Sequence, residues 1–161
     1  MATKRITSAL LTELDRKAAA SPRLRTNHNL HEAPEADVQR LAVKLRRGTY
    51  IRPHRHKTKW ELGITLQGEM DLVLFDDDGL LTERVRMMPG GSTLLMELPA
   101  GQWHSYVCVS DTATFFEVKE GPYDPATSSE FAVWSPAEGD ANATRCLDWM
   151  TNARLGERFT T

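Results

Sequence analysis

Gly48-Thr49-Tyr50-Ile51-Arg52-Pro53-His54-Arg55-His56-Lys57-Thr58-Lys59-Trp60-Glu61-Leu62-Gly63-Ile64-Thr65-Leu66-Gln67-Gly68 is the stretch that decides the fold. Its frame is Gly48-x5-His54-x-His56-x4-Glu61-x6-Gly68, and a shorter frame, Pro99-x-Gly101-x2-His104, follows it. On a strand, residues i and i+2 point to one face, so His54 and His56 can reach a common point. Glu61 follows a polar loop and opens an apolar run. His104 follows a Pro-x-Gly turn and opens another. Three neutral imidazoles and a carboxylate converging inside a barrel are a ligand set for one divalent transition metal. The carboxylate tilts the choice toward Fe, Mn or Ni, with Zn also served by imidazole. An ion that prefers six ligands keeps open positions for water, dioxygen or a chelating substrate. Structural zinc favours a closed site rich in cysteine, and neither Cys108 nor Cys146 fits that role.

Outward from this stretch, the chain from 38 to 118 alternates short β-rich runs with turn signals. The expected strands are 38–46, 49–55, 61–67, 69–76, 80–88, 92–98, 103–109 and 112–119. Gly48, Gly68, Asp78-Gly79, Pro89-Gly90-Gly91 and Pro99-Ala100-Gly101 separate them. Short, evenly spaced strands of this kind imply an all-β sandwich or barrel. Ile6, Leu10, Leu11, Leu14 and Ala18 recur at helical spacing, which predicts a helix over 6–19 that Thr7 or Ser8 caps and Ser21-Pro22 ends. Residues 23–37 read as polar and irregular. The tail from Gly121 is rich in Pro, Gly and Ser but carries Tyr123, Phe131, Trp134 and Trp149. Its aromatics predict that it packs on the body, with a short terminal helix over 140–153.

The first frame matches the first motif of the cupin superfamily at every defining position. The second matches in part: Pro99, Gly101 and His104 are present, Thr93 stands where a glycine is expected, and Cys108 where an asparagine is. Pro53-His54-Arg55-His56, Lys59-Trp60-Glu61, Pro99-Ala100-Gly101-Gln102-Trp103-His104 and Phe115 through Asp124 resemble the WbuC family of small cupin metalloproteins. Ser21-Pro22-Arg23, Asn29 and His31 upstream, and Phe131-Ala132-x-Trp134 and Pro136-Ala137-Glu138-Gly139 downstream, resemble it too. The resemblance implies a single-domain cupin, a double-stranded β-helix or jelly-roll barrel, with one metal held by His54, His56, Glu61 and His104. It divides the chain into an N-terminal helix and arm (1–37), the barrel (38–120) and the tail (121–161). The family's association with bacterial surface-polysaccharide gene clusters implies a sugar-like ligand.

Strand parity extends the expected site. Arg52 shares the face of His54 and His56, as a substrate anchor or as the partner of an acid such as Glu117. Gly63 and Thr65 share the face of Glu61 and are small enough to leave room for a ligand. Tyr106 and Cys108 share the face of His104. Tyr106 is read as an anchor or proton donor, and Cys108 as a ligand contact or an ordinary core residue. Trp60 and Trp103 have the opposite parity and read as packing residues. His28 and His31 lie at the pocket mouth or are solvated loop residues. Leu62, Ile64 and Leu66 form an apolar outer face that the helix, the tail or a second subunit must cover.

The chain's 161 residues suffice for one domain, and its net charge of −2 gives no pull toward nucleic acid or an anionic membrane. The basic runs Lys44–Arg47 and Arg52–Lys59 read as a solvated strand edge and loop. There is no apolar run long enough to span a bilayer, no apolar region after Lys4 and Arg5, and no cysteine framework. A cytoplasmic protein is expected. The expected activity is that of a metal-dependent oxygenase or isomerase acting on a small sugar- or keto-acid-like molecule. A non-catalytic sugar- or anion-binding cupin is the alternative. A purely structural metal is disfavoured by the apolar barrel, and a metal-free epimerase by the full ligand set.

Overall fold

The helical spacing near the N-terminus is realised as α1 (Ser8–Ala20). Thr7 caps it, its Oγ1 accepting from the Leu10 amide at 3.2 Å, and Ser21 ends it in extended backbone. In this computed structural model, which describes residues 3–160, ten strands follow. They are β1 (Arg25–Asn29), β2 (Val38–Arg46), β3 (His54–Arg55), β4 (Glu61–Gln67), β5 (Met70–Phe75), β6 (Leu81–Met87), β7 (Leu95–Leu98), β8 (Trp103–Cys108), β9 (Thr112–Glu120) and β10 (Glu130–Phe131), and the last helix is α2 (Ala143–Asn152). Among the described residues no helix is long and apolar enough to cross a membrane.

The strands form two five-stranded antiparallel sheets, β1-β2-β9-β4-β7 and β10-β3-β8-β5-β6. Their inner faces enclose Leu45, Met70, Leu72, Met87, Leu98, Tyr106, Ala113 and Phe115, one apolar core. This is the jelly-roll barrel. A second core lies outside it. Val73, Phe75, Trp103 and Val107 face the other way along β5 and β8 and meet Ala143, Cys146, Leu147, Met150 and Phe159 of the tail. Strands β5 and β8 are therefore buried at every position, because both of their faces are covered. The tail packs as expected from its aromatics: Trp134 meets Phe75 edge-on at 5.1 Å and Trp149 stacks on it at 5.9 Å.

Turn chemistry sets the registers. Asp76 Oδ1 accepts from the Asp78 and Leu80 amides, and Gly79 takes φ +79° between β5 and β6. Gly68, at φ +71°, closes the turn into β5. A Cβ there would stand 2.1 Å from the Thr112 carbonyl oxygen, so only glycine fits.

Two expectations are corrected. Residues 25–29 are not irregular but form β1, paired with 41–45 of β2. The run Arg-Thr-Asn-His-Asn shows no apolar alternation because Thr26 and His28 lie on the α1 side while Arg25, Asn27 and Asn29 face the barrel mouth. The expected strand over 49–55 shrinks to His54–Arg55, and β10 from the tail pairs with it. Helix α1 packs on β1 and β2 and buries Leu14 and Ala18 there. The apolar outer face of β4 stays half open: Leu62, Ile64 and Leu66 are half-buried, and Leu94 and Leu95 beside them are 49% and 43% exposed.

Met150 is fully buried in the outer core. Met150→Ala is expected to cost about 2–5 kcal/mol of stability, read as a lower urea midpoint.

Candidate metal centre

The two sheets deliver the four polar side chains from opposite walls. His54 and His104 are direct cross-strand neighbours on β3 and β8. Glu61 comes from β4 in the facing sheet, and His56 from the loop just past β3. Their ligating atoms all lie within 4.8 Å of one another. An ion with bonds of about 2.1 Å holds its ligands roughly 3 to 4.2 Å apart, so a small contraction brings these four to coordination distance. His56 Nε2 is 2.8 Å from Glu61 Oε2, and His104 Nε2 is 3.8 Å from Glu61 Oε1.

Each imidazole is tied at its other nitrogen. His54 Nδ1–H donates to the Arg52 carbonyl at 2.9 Å, His104 Nδ1–H to the Gln102 carbonyl at 2.9 Å, and His56 Nδ1–H to the Ser128 carbonyl. A proton on Nδ1 leaves the Nε2 lone pair free and aims it at the centre. His104 Nε2 is buried with no hydrogen-bond partner among the described residues. An orphaned buried nitrogen is costly, and an ion between it and Glu61 removes that cost. The residues present fit a divalent metal.

The electrostatics agree. Burial pushes the His54 imidazole down, helped by repulsion from His104, to about 3. Burial likewise lowers His104. Both stay neutral, as ligation requires. Burial alone would raise the Glu61 carboxyl. The contacts with His56 and His104 and the nearby Lys119 ammonium outweigh it and hold Glu61 well below the usual carboxylate range.

A family model described as a domain of unknown function (DUF6016) matches residues 6–87, just over half of the 161-residue chain. The chain belongs to this family. No curated protein matches it. Among solved structures, KdgF from Halomonas sp. is 22% identical with a TM-score of 0.51, over 66% of this chain and 84% of that one. The capsular polysaccharide assembling protein CapF from Staphylococcus aureus is 18% identical with a TM-score of 0.55, over 69% of this chain and 32% of that one. An oxalate decarboxylase OxdC variant from Bacillus subtilis is 19% identical with a TM-score of 0.52, over 66% of this chain and 27% of that one. What these structures share with the chain is the fold, a cupin-type jelly roll.

Within the barrel, the other residues singled out in the sequence fall in three places. Gly63, Thr65, Tyr106 and Cys108 do face inward, but they form a closed floor. A Cβ on Gly63 would stand 2.9 Å from Tyr106 Oη, so the glycine makes room for the tyrosine rather than for a ligand. Tyr106 Oη–H donates to Glu61 Oε1 at 3.3 Å. Burial, with Glu61 and Glu117 nearby, raises its phenol well above the usual range and keeps it a neutral donor. Thr65 is buried with no partner for its hydroxyl among the described residues. Cys108 sits in the apolar core and donates to the Ser110 carbonyl.

Arg52 turns away from Glu117 and into the tail. Its Nε donates to Ser135 Oγ at 3.1 Å, and its Nη2 to the Ala132 and Ser135 carbonyls, both at 3.0 Å. Trp103 packs in the outer core, its Nε1–H on Asp77. Of the tail aromatics, Tyr123 stays 45% exposed. His28 and His31 part company. His28 faces the α1 side. His31 Nδ1 accepts from the Arg40 amide at 3.0 Å, and the ring lines a recess of about 330 Å³ with Asn27, Asn29, Gln39, Lys119 and Tyr123.

Lys119 is the residue that sequence reasoning passed over. Its Nζ is 2.5 Å from Glu117 Oε1 and 3.9 Å from Glu61 Oε2. The signal was available: parity along β9 puts Glu117 and Lys119 on the same inward face as Phe115, and two charges on a core face demand a reason.

Arg52→Ala is expected to lower stability by about 1–3 kcal/mol, because the tail carbonyls it serves lose their donors. Its metal content should remain that of the wild type, checked by elemental analysis of the folded protein.

Proposed function

We propose that this protein is a mononuclear divalent-metal cupin of the WbuC type, acting as a metal-dependent enzyme on a small polar, sugar- or keto-acid-like substrate. The observation that carries the reading is the set of three imidazoles, each tied through Nδ1–H to a backbone carbonyl, with their Nε2 atoms gathered on Glu61. His54, His56, Glu61 and His104 would hold the ion. Bound Fe, Mn, Ni or Zn supplies a Lewis acid with open positions for substrate oxygens. The chain's own residues do the rest. Tyr106 fixes Glu61 through Oη and keeps its proton. The apolar floor beneath excludes water from one side, so a substrate enters from the mouth. Lys119 supplies the cation nearest the cluster.

The two cysteines are free and buried, which suits a reducing, cytoplasmic setting. The half-open face of Leu62, Ile64, Leu66 and Leu95 suits a homodimer contact. In that arrangement sedimentation equilibrium of the wild type reports a dimer, and Leu95→Glu reports a monomer with unchanged metal content.

Elemental analysis of protein purified without chelators or a metal-affinity tag tests the centre. Near-stoichiometric iron, manganese, nickel or zinc is expected in the wild type, and at least a tenfold drop in His104→Ala with the fold intact by circular dichroism. Trace metal in both would remove the metalloenzyme reading.

A further inference from the structure

The recess that Lys119 shares with β1 and β2 has a polarity that selects a ligand. At about 330 Å³ it suits a molecule of monosaccharide size. Lys119 is the only lysine, arginine or carboxylate among its lining residues, and lies at its inner end with its side chain 18% exposed. Nζ touches Glu117 and stands 3.9 Å from Glu61, so an anion resting on Lys119 lies within reach of the metal centre.

The charges set the sign of that ligand. With both carboxylates ionised, Glu61, Glu117 and Lys119 sum to one net negative charge, and imidazoles that ligate a metal are neutral. A divalent ion turns this to one net positive charge. Buried surplus charge is costly, and one singly charged anion removes it. A phosphate dianion would overshoot that single charge. A carboxylate needs one ammonium.

The outer part of the recess is built for hydroxyls. Asn27 Nδ2–H donates to Asn29 Oδ1 at 2.6 Å. That pairing leaves the Asn29 amide nitrogen and the Asn27 carbonyl oxygen for other partners. His31 Nδ1 sits 3.0 Å from the Arg40 amide and 3.1 Å from its carbonyl, which leaves Nε2 to a ligand as donor or acceptor according to the tautomer. Donors and acceptors are thus both present along the wall leading away from Lys119. Tyr123 closes the rim with an exposed ring.

Building on the metal centre proposed above, we propose that this recess binds a polyhydroxylated monocarboxylic acid. Its carboxylate rests on Lys119 beside the centre, and its hydroxyls run outward along Asn29, Asn27 and His31. Lys119 and Asn29 are then specificity-determining residues. Lys119 selects acids over neutral sugars, and Asn29 selects hydroxylated acids over plain ones.

Isothermal titration calorimetry of the metal-loaded full chain tests this, with D-gluconate, D-galacturonate and D-glycerate as probes and D-glucose as the neutral control. At least one acid is expected to bind the wild type at least tenfold more tightly than glucose. Lys119→Met should lose at least tenfold in affinity for that acid at unchanged metal content, while Lys119→Arg retains more of it. Asn29→Ala, at the exposed mouth, should weaken the same acid several-fold, and it carries the test if Lys119→Met fails to fold. A metal-loaded wild type that binds none of the acids overturns the recess and leaves the metal centre standing. So does equal affinity for glucose, or unchanged affinity in Lys119→Met or Asn29→Ala. A wild type that holds no metal yet binds acid through Lys119 overturns the metal centre and leaves the recess.

Discussion

Three backbone carbonyls, those of Arg52, Gln102 and Ser128, each hold the Nδ1–H of one histidine. Much else in the structure follows from that constraint. A barrel interior is a poor place for imidazoles and a carboxylate, since each brings polar atoms that water would otherwise satisfy. Satisfying Nδ1 from the main chain settles half of every ring and leaves one lone pair per ring to be matched at the centre. The carbonyls come from distant parts of the chain. Arg52 precedes β3, Gln102 ends the Pro99–Gln102 turn, and Ser128 belongs to the tail. The short strand β3, the tight turn before β8 and the return of the tail as β10 position one carbonyl each.

The same economy explains why the molecule has two cores. A single jelly roll of this size can close with one polar outer surface. Here β5 and β8 bury their outer faces under the tail, and in doing so fix the segment that carries Ser128. Arg52 reinforces this by holding Ala132 and Ser135. The side chain that parity offered as a substrate anchor also forms a strut between barrel and tail. Its backbone orients His54 while its side chain anchors the segment following β10.

Much of the barrel and the ligand cluster was legible in the sequence, since both rest on local rules. The β-rich runs expected at 38–46 and 61–67 coincide with β2 and β4 end to end. The i, i+2 spacing of His54 and His56 and the Pro-x-Gly approach to His104 give the convergence. The rest depends on who faces whom, which no spacing encodes. Arg25–Asn29 reads as loop because one side of β1 meets a wet mouth and the other a helix, so neither is strongly apolar. The inward parity of Gly63 and Tyr106 was correct, yet parity does not reveal that the second fills the space left by the first. Lys119 was visible only as a charge on an apolar strand face, and its significance appears once Glu117 and Glu61 stand beside it.

The bond from His56 to Ser128 spans 72 residues of chain. A polypeptide emerging from the ribosome completes β3, β4 and β8 long before Ser128 is available, so during that interval His56 has no carbonyl to set its tautomer. The site is finished only when the final quarter of the chain folds back. A metal held by this cluster would meet a complete cavity only at the end of synthesis, and an unfinished chain would offer it a poorer site.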